Sequence, residues 1–433
     1  MKISVIGCGY LGAVHAACMA DLGHEVVGID VDPAKIAQLS SGVAPFFEPG
    51  LTEVLTSSLA SGRLRFSTDM ADVAGSAIHF IAVGTPQTAG SNSADLRYVD
   101  AAVEGLLPYL SADTLVVGKS TVPVGTAARL AAMVEPTGAS LAWNPEFLRE
   151  GFAVKDTISP DRLVYGVAEG DVAAVAALDE LYAAAISRET PRLVTDFATA
   201  ELVKVSANAF LATKISFINA MAEIAEATGA DVTQLADAIG FDARIGRKFL
   251  NAGLGFGGGC LPKDIRGFMA RAEELGVGES LAFLSDIDAI NLRRRDRVVQ
   301  LAHDACGGDV RGKRIAVLGL AFKPNSDDVR DSPALDVASR LAAAGAVVRA
   351  TDPAAIETSR RVHPGLDYVE TPEGAAAGAE VVLVLTEWID YSELDPALFG
   401  SIVGDRVVID GRNCLDPVAW RAAGWNYRGL GRP

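Results

Sequence analysis

The stretch Lys2–Leu22 reads KISVIGCGYLGAVHAACMADL and decides the fold of the first part of the chain. Its apolar start, Lys2–Ile6, predicts a β-strand, and three glycines follow in the spacing Gly-x-Gly-x-x-Gly at the head of a helical segment. Gly7 permits a tight turn, Gly9 lets the backbone approach a pyrophosphate, and Gly12 lets helix and strand pack closely. The pattern predicts a dinucleotide-binding α/β domain in which a helix N-terminus faces the phosphates.

An acidic residue follows the second predicted strand, Glu25–Ile29. This residue, Asp30, lies eighteen positions past Gly12. Its carboxylate can accept hydrogen bonds from a ribose diol and would repel a 2′-phosphate, so the sequence favours NAD over NADP. The predicted contacts of the turn with the cofactor are Gly7, Gly9, Tyr10, Leu11 and Gly12.

Strands and helices alternate at both ends of the chain, which is typical of parallel sheets with helices on both faces. The further predicted strands are Ala77–Val83, Thr114–Lys119, Lys313–Leu318, Val347–Ala350, Val381–Leu385 and Arg406–Ile409, and the early helices are Leu11–Leu22 and Pro33–Ser40. Between the two ends, Phe197–Thr228 lacks Gly and Pro and predicts one long helix. Its length suits a spine between two domains and a dimer surface.

We therefore predict an α/β fold with two Rossmann-like parallel-sheet domains joined by a long central helix. The expected domains are an NAD-binding domain over residues 1–196, a central helical and dimerisation domain over 197–300, and a third, α/β domain over 301–433.

Composition narrows the possible functions. The 433 residues carry a formal net charge of −17, which argues against a nucleic-acid partner, and the one basic run, Arg293–Arg295, predicts a solvated helix face. Met1 and Lys2 lead directly into the first strand, and no apolar stretch approaches the ~18 residues of a membrane span. Five irregularly spaced cysteines suit neither disulfides nor a zinc site. We expect a cytoplasmic protein with no membrane association, in a compartment where a thiolate can act as a nucleophile.

The most informative motif is Gly253–Asp264, which reads GLGFGGGCLPKD. Its glycines give a loop whose backbone can approach a ligand closely, and Pro262 suits the first turn of a helix that continues to about Leu275. Cys260 would then lie at a helix N-terminus beside Lys263, and both features favour a thiolate. Cys8, Cys18, Cys306 and Cys414 have no comparable surroundings and are expected to be structural.

Polar residues at four other places suit a site. Lys204 and Asn208 are one helical turn apart, so an ammonium and an amide donor lie on one face and could stabilise an oxyanion. Gly84–Pro86 and Ser120–Pro123 each follow a predicted strand, where a cofactor meets the sheet. Asn144–Gly151 combines two carboxylates with a turn. Alone, each of these segments also fits an ordinary helix face or loop.

Taken together, the motifs resemble the UDP-glucose/GDP-mannose dehydrogenase family over essentially the whole chain. The matching segments are Gly7–Gly12, Ser120–Gly125, Asn144–Gly151, Lys204 with Asn208, Phe256–Asp264 and Ala321–Pro333. The resemblance implies two successive oxidations of a nucleotide sugar by two NAD and no metal. It also implies that the third domain binds the UDP-sugar and that Cys260 attacks the aldehyde, giving a thiohemiacetal and then a thioester that water hydrolyses.

The resemblance also implies roles for individual residues. For catalysis, Lys204 and Asn208 would stabilise the oxyanion, Asp264 would orient water or Lys204, and Thr121 and Glu146 would serve water positioning and proton transfer. Around NAD, Asp30 would be joined by Lys35, Thr85, Thr121, Glu150, Lys263 and Arg330. The UDP-sugar would contact Phe147, Leu148, Arg149, Glu150, Lys204, Asn208, Phe249, Leu250, Asn251, Ala252, Gly253, Gly257, Cys260, Phe322 and Lys323, with Arg244 supplied by the neighbouring subunit of a homodimer.

Several alternatives stay open at this point. Asp410–Asn413 and Thr386–Trp388 look more like the UDP-glucose branch of the family, but the same chemistry could act on GDP-mannose or a UDP-N-acetylhexosamine. A two-electron hydroxyacid dehydrogenase has a similar domain order and needs no cysteine. A sensor that binds nucleotide sugar without turnover is the non-enzymatic alternative.

Overall fold

In the computed structural model, which describes Met1–Pro433, eight strands form the sheet of a first unit made of residues 1–207 and 266–278. The sheet order is β3-β2-β1-β4-β5-β6-β7-β8. The strands are β1 (Lys2–Ile6), β2 (Glu25–Ile29), β3 (Leu64–Ser67), β4 (Ile78–Ile81), β5 (Leu115–Gly118), β6 (Ser140–Trp143), β7 (Leu163–Val167) and β8 (Arg192–Thr195). The central strands β4 and β5 are buried along their whole length, as expected for strands covered on both faces.

Helices flank this sheet. They are α1 (Tyr10–Asp21), α2 (Pro33–Ser40), α3 (Leu51–Ala60), α4 (Arg97–Leu106), α5 (Thr126–Val134), α6 (Ala153–Ile158), α7 (Val172–Leu181) and α8 (Ala183–Ile186). Several begin at a side-chain cap. Asp32 accepts hydrogen bonds from two backbone amides at the start of α2, and Asp171 accepts one, from Ala174, at the start of α7.

Four helices lie between the two sheets in the sequence. They are α9 (Phe197–Thr228), α10 (Val232–Gly240), α11 (Leu261–Glu274) and α12 (Phe283–Ala305). The predicted long helix is confirmed, with 32 residues in α9. Its residues up to Ala207 belong to the first unit, and those from Asn208 belong to the second.

The second unit consists of residues 208–265 and 279–433 and contains a six-stranded sheet in the order β11-β10-β9-β12-β13-β14. Its strands are β9 (Arg314–Leu318), β10 (Val347–Thr351), β11 (Asp367–Tyr368), β12 (Val381–Val384), β13 (Val407–Asp410) and β14 (Asn426–Gly429). Its later helices are α13 (Pro333–Ala343), α14 (Ile356–Val362), α15 (Pro372–Ala376), α16 (Ile389–Ser392), α17 (Pro396–Phe399) and α18 (Pro417–Ala422). All of the strand pairs are parallel.

The predicted fold class, two Rossmann-like sheets joined in the chain by a long helix, is confirmed. One detail differs, because β7 pairs antiparallel with β6 at the far side of the first sheet. The reversal follows the long segment that contains Asn144–Gly151, which returns the chain beside the strand it has just left. No helix in the chain is long and apolar enough to span a membrane.

The prediction that Arg293–Arg295 forms a solvated helix face is wrong for two of the three residues. Arg293 is largely exposed, but Arg294 and Arg295 are buried on α12. The guanidinium of Arg294 lies 3.3 Å from the carboxylate of Glu226, and that of Arg295 lies 2.7 Å from the carboxylate of Asp331. Two charged groups can be buried here because each faces an opposite charge and a backbone carbonyl.

Candidate active site

The glycine turn after β1 has the geometry that its sequence predicts. Gly7 has a φ of +91°, and a Cβ there would lie 2.8 Å from atoms of Val83. A Cβ on Gly12 would overlap the carbonyl of Gly7, so only glycine lets α1 start so close to the turn. A Cβ on Gly9 would instead point into open space, which is room that a ligand can occupy. The turn therefore fits a dinucleotide pyrophosphate.

Asp30 lies beside this turn. Its carboxylate accepts hydrogen bonds from the backbone amides of Cys8 at 2.8 Å and Asp32 at 3.0 Å, and it pairs with the Nζ of Lys35 at 2.9 Å. Two predicted cofactor residues, Asp30 and Lys35, are thus in direct contact. A carboxylate has about four lone-pair sites, so one remains for a ribose hydroxyl.

The second sheet repeats this arrangement, but its acidic residue has no acceptor site left for a ribose. Gly319 follows β9 with a φ of +103°, and Asp352 follows β10 and accepts from the amide of Leu320 at 2.7 Å. Asp352 accepts four further hydrogen bonds, from three backbone amides and the indole of Trp388. Its carboxylate is saturated and buried. The dinucleotide therefore fits the first unit and not the second.

Two further predicted segments of the first unit lie close together. Thr85 donates a hydrogen bond from its hydroxyl to the carbonyl of Thr121 at 2.7 Å, and Ser120 donates to the carbonyl of Val83 at 2.7 Å. Glu201, at the start of α9, accepts from the amides of Gly125 and Ala127. The buried Glu201 carboxylate thus fixes the segment that contains Thr121 to the helix that contains Lys204.

Glu146 is held by an ion pair that the sequence did not reveal. One carboxylate oxygen accepts from the amides of Phe147 and Leu148, and the other lies 3.1 Å from the ammonium of Lys119. Burial alone would raise the pKa of Glu146, but the charge and hydrogen bond of Lys119, with the two amides, lower it. Burial opposes the charge on Lys119, yet Glu146 raises the pKa of that ammonium. Glu146 is therefore ionised at neutral pH.

Phe147, which follows Glu146 in the sequence, has two cations near its ring. One of them belongs to Lys204, a predicted catalytic residue. The Nζ of Lys204 is 5.6 Å from the ring centroid, and the guanidinium carbon of Arg162 is 3.8 Å from it. Both are cation–π distances. Arg149, another predicted substrate residue, instead forms a bidentate pair with Asp156.

The second unit contains the cysteine loop. Its glycines do more than the sequence suggested, because most of them allow other parts of the protein to approach. At four of these glycines a Cβ would overlap a neighbouring residue. A Cβ on Gly255 would overlap Asn291, one on Gly257 would overlap Asp331, one on Gly258 would overlap Phe322, and one on Gly259 would overlap Arg330. Gly258 and Gly259 therefore let the predicted substrate residue Phe322 and the predicted cofactor residue Arg330 pack against the loop.

Cys260 is exposed and directly precedes α11, and its carbonyl accepts the first helical hydrogen bond, from the amide of Asp264 at 2.8 Å. One turn into the helix, the buried Asp264 accepts from the amide group of Asn208 at 2.6 Å and pairs with Lys263 at 2.7 Å. By contrast, Cys8 and Cys18 are buried, and burial raises the pKa of both thiols. Cys260 is the cysteine whose position suits a nucleophile.

The predicted substrate loop at 249–253 is strained at its start. Phe249 has a φ of +66°, a rare conformation for a bulky residue, and Asn325, Asp331 and Asn413 also have positive φ. Such strain concentrates at functional sites. The side chains of Leu250 and Ala252 belong to an apolar cluster with α9 and α10, so these two residues can offer only backbone groups to a ligand.

Comparisons with known proteins show the family of the chain. Models of the NAD binding, central and UDP binding domains of the UDP-glucose/GDP-mannose dehydrogenase family match residues 1–186, 198–293 and 316–417. The chain belongs to the UDP-glucose/GDP-mannose dehydrogenase family.

Three similar proteins cover it almost completely. A UDP-glucose 6-dehydrogenase of Rhizobium meliloti (strain 1021) is 43% identical over 438 residues, which is 100% of both chains. The structure of a UDP-glucose dehydrogenase from the hyperthermophilic archaeon Pyrobaculum islandicum has a TM-score of 0.89 and 40% identity, covering 100% of this chain and 98% of that one. A UDP-D-ManNAc dehydrogenase from Pyrococcus horikoshii has a TM-score of 0.86 and 27% identity, covering 100% and 99%.

Within this dehydrogenase family fold, the predicted residues form separate groups in the two units. The first unit brings together Asp30 with Lys35, Thr85 with Thr121, and Phe147 with Lys204. The second joins Asn208, Lys263 and Asp264, and places Lys323 over the ring of Phe322 at 5.0 Å. Tyr10 is bonded to Glu48 and Arg330 to Asp328, while Arg244 is exposed and pairs with Asp242.

Sequence reasoning missed several buried polar residues that hold these groups. Lys119, Glu201 and Asn291 each contact the backbone or side chain of a predicted site residue or its loop. Only Lys119 had a visible signal, as a charged residue directly after the apolar strand β5. No group of three or more His, Cys, Asp or Glu side chains is arranged to hold a metal ion.

Proposed function

We propose that this chain catalyses the four-electron oxidation of UDP-glucose to UDP-glucuronate, with two NAD consumed per sugar and Cys260 as the covalent catalyst. The observation that carries the proposal is the placement of Cys260. An exposed thiol precedes a helix, on a loop clamped by its neighbours, with a buried carboxylate–amide pair one turn away.

NAD supplies the hydride acceptor for both oxidations when it is bound, and Gly7–Gly12 with Asp30 would hold it. In the first oxidation the primary alcohol loses a hydride and a proton and becomes an aldehyde. The Cys260 sulfur then adds to the aldehyde carbon, and this thiohemiacetal loses the second hydride from its carbon and a proton from its hydroxyl to give a thioester. Water breaks the C–S bond, releasing the carboxylate and the thiol.

The chain's own residues support each step. A helix N-terminus stabilises the thiolate of Cys260. Asn208 has its amide group fixed by Asp264, and Lys204 and Asn208 supply the donors for a developing oxyanion. Glu146 remains a carboxylate because Lys119 faces it, so within this proposal it positions water with Thr121.

The substrate choice rests on the comparisons. The UDP-glucose dehydrogenase structure shares 40% identity with this chain and the UDP-D-ManNAc dehydrogenase structure shares 27%, so UDP-glucose is favoured over an N-acetylated sugar. The thiol mechanism requires a reducing environment, which makes the cytoplasm the proposed location.

The test is product analysis with purified protein, NAD and one nucleotide sugar at a time. UDP-glucose should yield UDP-glucuronate with two NADH per sugar, and EDTA should not reduce the rate. One NADH per sugar would support a two-electron dehydrogenase. Binding without any NADH would support a sensor, and faster turnover of GDP-mannose or a UDP-N-acetylhexosamine would overturn the substrate choice.

The contact between Asp30 and Lys35 leads to a prediction about cofactor choice. Wild-type enzyme should strongly prefer NAD. Asp30→Ala should raise KM for NAD by roughly tenfold to a hundredfold, since a hydrogen bond to a charged group contributes about 1.5–3 kcal/mol. It should also improve the use of NADP, because Lys35 is released to meet a 2′-phosphate.

The matched control is the double variant Asp30→Ala/Lys35→Ala, which lacks both charges and should use NADP poorly. The measurement is kcat/KM for each cofactor. Comparable values for NAD and NADP in the wild-type enzyme would contradict the role of Asp30.

We also propose a homodimer through the central helix. Phe210, Phe217 and Ile224 are spaced by seven residues on α9 and are 66%, 47% and 55% exposed. Side chains spaced by seven residues lie along one helix face, and large apolar faces of this kind usually contact a partner. The proposed partner is a second copy of the chain, and Arg244 would reach the substrate bound to that copy.

Replacing the stripe should therefore separate the subunits. Phe210→Ser/Phe217→Ser is expected to sediment as a monomer, while wild-type protein sediments as a dimer. Val418→Ser, which changes an even more exposed apolar residue on α18, is the control and should leave the dimer intact. A wild-type monomer, or a double variant that stays dimeric, would contradict this interface.

A further inference from the structure

Three polar side chains of α12 are buried on one face of the helix. Asn291, Arg294 and Arg295 have the spacing i, i+3, i+4, and all three are almost completely excluded from solvent. Burying an amide and two guanidinium groups is costly unless each is paired. Their partners show what this face of α12 holds.

Asn291 binds the middle of the cysteine loop. Its side-chain oxygen accepts from the amide of Phe256 at 2.7 Å, and its side-chain nitrogen donates to the carbonyl of the same residue at 2.9 Å. One side chain thus fixes both backbone groups of one loop residue. Gly255 has no Cβ to block this approach.

Arg294 binds the start of the same loop directly, and Arg295 binds a segment that contacts the loop at Gly258. Arg294 donates from Nε to the carbonyl of Gly253 at 3.2 Å while its charge pairs with Glu226 on α9. Arg295 binds both the carboxylate and the carbonyl of Asp331. The residue before Asp331 in turn contacts the loop, because the carbonyl of Arg330 accepts a hydrogen bond from the amide of Gly258 at 2.8 Å.

We propose that Asn291 is a positioning residue for the Cys260 nucleophile, an inference that rests on the proposed function. A loop with five glycines in seven residues has high conformational entropy, and Cys260 follows Phe256 by only four residues. The Asn291–Phe256 pair removes that freedom at the centre of the loop, and α12 acts as the rigid support. Asn291 itself does not touch the reacting atoms.

The test compares Asn291→Leu, which keeps the volume but loses both hydrogen bonds, with Arg297→Gln. Arg297 also joins α12 to Glu226 on α9, at 2.7 Å, but is not bonded to the loop. Asn291→Leu should lower kcat by about 10–100-fold, because a misplacement near 1 Å can cost about a hundredfold. KM for NAD should change far less than kcat, since the glycine turn and Asp30 belong to the first unit.

Amide hydrogen exchange supplies a readout that does not depend on activity. Asn291→Leu should speed exchange in peptides covering 253–260 and leave peptides of the first unit unchanged, whereas Arg297→Gln should do neither. If wild-type protein lacks UDP-glucose activity, the proposed function fails, but the exchange experiment still tests the loop.

Three outcomes would overturn the positioning role. The first is a folded Asn291→Leu enzyme with wild-type kcat. The second is an equal loss of kcat in Asn291→Leu and Arg297→Gln. The third is failure of both Asn291→Leu and the smaller, polar Asn291→Ser to fold, which would make Asn291 a stability residue.

Discussion

Cys260→Ala should produce almost no UDP-glucuronate, with turnover reduced by several orders of magnitude, because the covalent route from aldehyde to acid is lost. In the proposed mechanism, the sulfur adds to the aldehyde carbon before the second hydride leaves. Alanine offers no nucleophile at the residue that precedes α11. Steady-state NADH production and product analysis measure this loss.

Cys260→Ser separates the nucleophile from the leaving group. A hydroxyl keeps the size of the thiol but is far less acidic, and an oxygen ester is harder to hydrolyse than a thioester. Intact-protein mass spectrometry after mixing Cys260→Ser with NAD and UDP-glucose should reveal a stalled ester, which Cys260→Ala cannot form.

The matched control is Cys306→Ala. Cys306 is a partly exposed thiol after the end of α12, and burial raises its pKa. Its replacement should leave turnover unchanged. Near-normal NADH production by Cys260→Ala, at two per sugar, would contradict the covalent mechanism and make Cys260 a structural residue.

Features set by local sequence could be predicted well. The turn at Gly7–Gly12 and the bounds of α9 depend on short-range spacing, since steric limits at glycine and the helical period act within a few residues. The thiol at the start of α11 could be predicted for the same reason, from Pro262 and the glycines before it.

Features set by distant partners could not be predicted. Arg294 and Arg295 look like a surface charge run until Glu226 and Asp331 are placed beside them, and these partners are 68 and 36 residues away in the chain. The ion pair between Lys119 and Glu146 could not be predicted for the same reason, since the two residues are far apart in the sequence. The close contacts that the glycines of the cysteine loop allow could not be predicted either, because they involve segments that meet the loop only in the folded protein.

Lys204→Met should reduce kcat by about 10²–10³, since the loss of one preorganised donor to a developing oxyanion typically costs that much. Methionine keeps an unbranched apolar stem beside the ring of Phe147, so this variant removes the charge and little of the packing. KM for UDP-glucose should change far less than kcat, because in the proposed mechanism the negative charge that Lys204 stabilises develops only during the reaction.

Two further variants decide whether the charge of Lys204 or its position at the ring matters. Lys204→Ala should lose as much kcat as Lys204→Met, since both lack the ammonium. Arg162→Met removes the other cation at the Phe147 ring and should retain most of the activity, because Arg162 has no assigned role in the chemistry. Unchanged kcat with a raised KM in Lys204→Met would show that Lys204 only binds substrate, and an equal loss in Arg162→Met would shift the effect to the ring of Phe147.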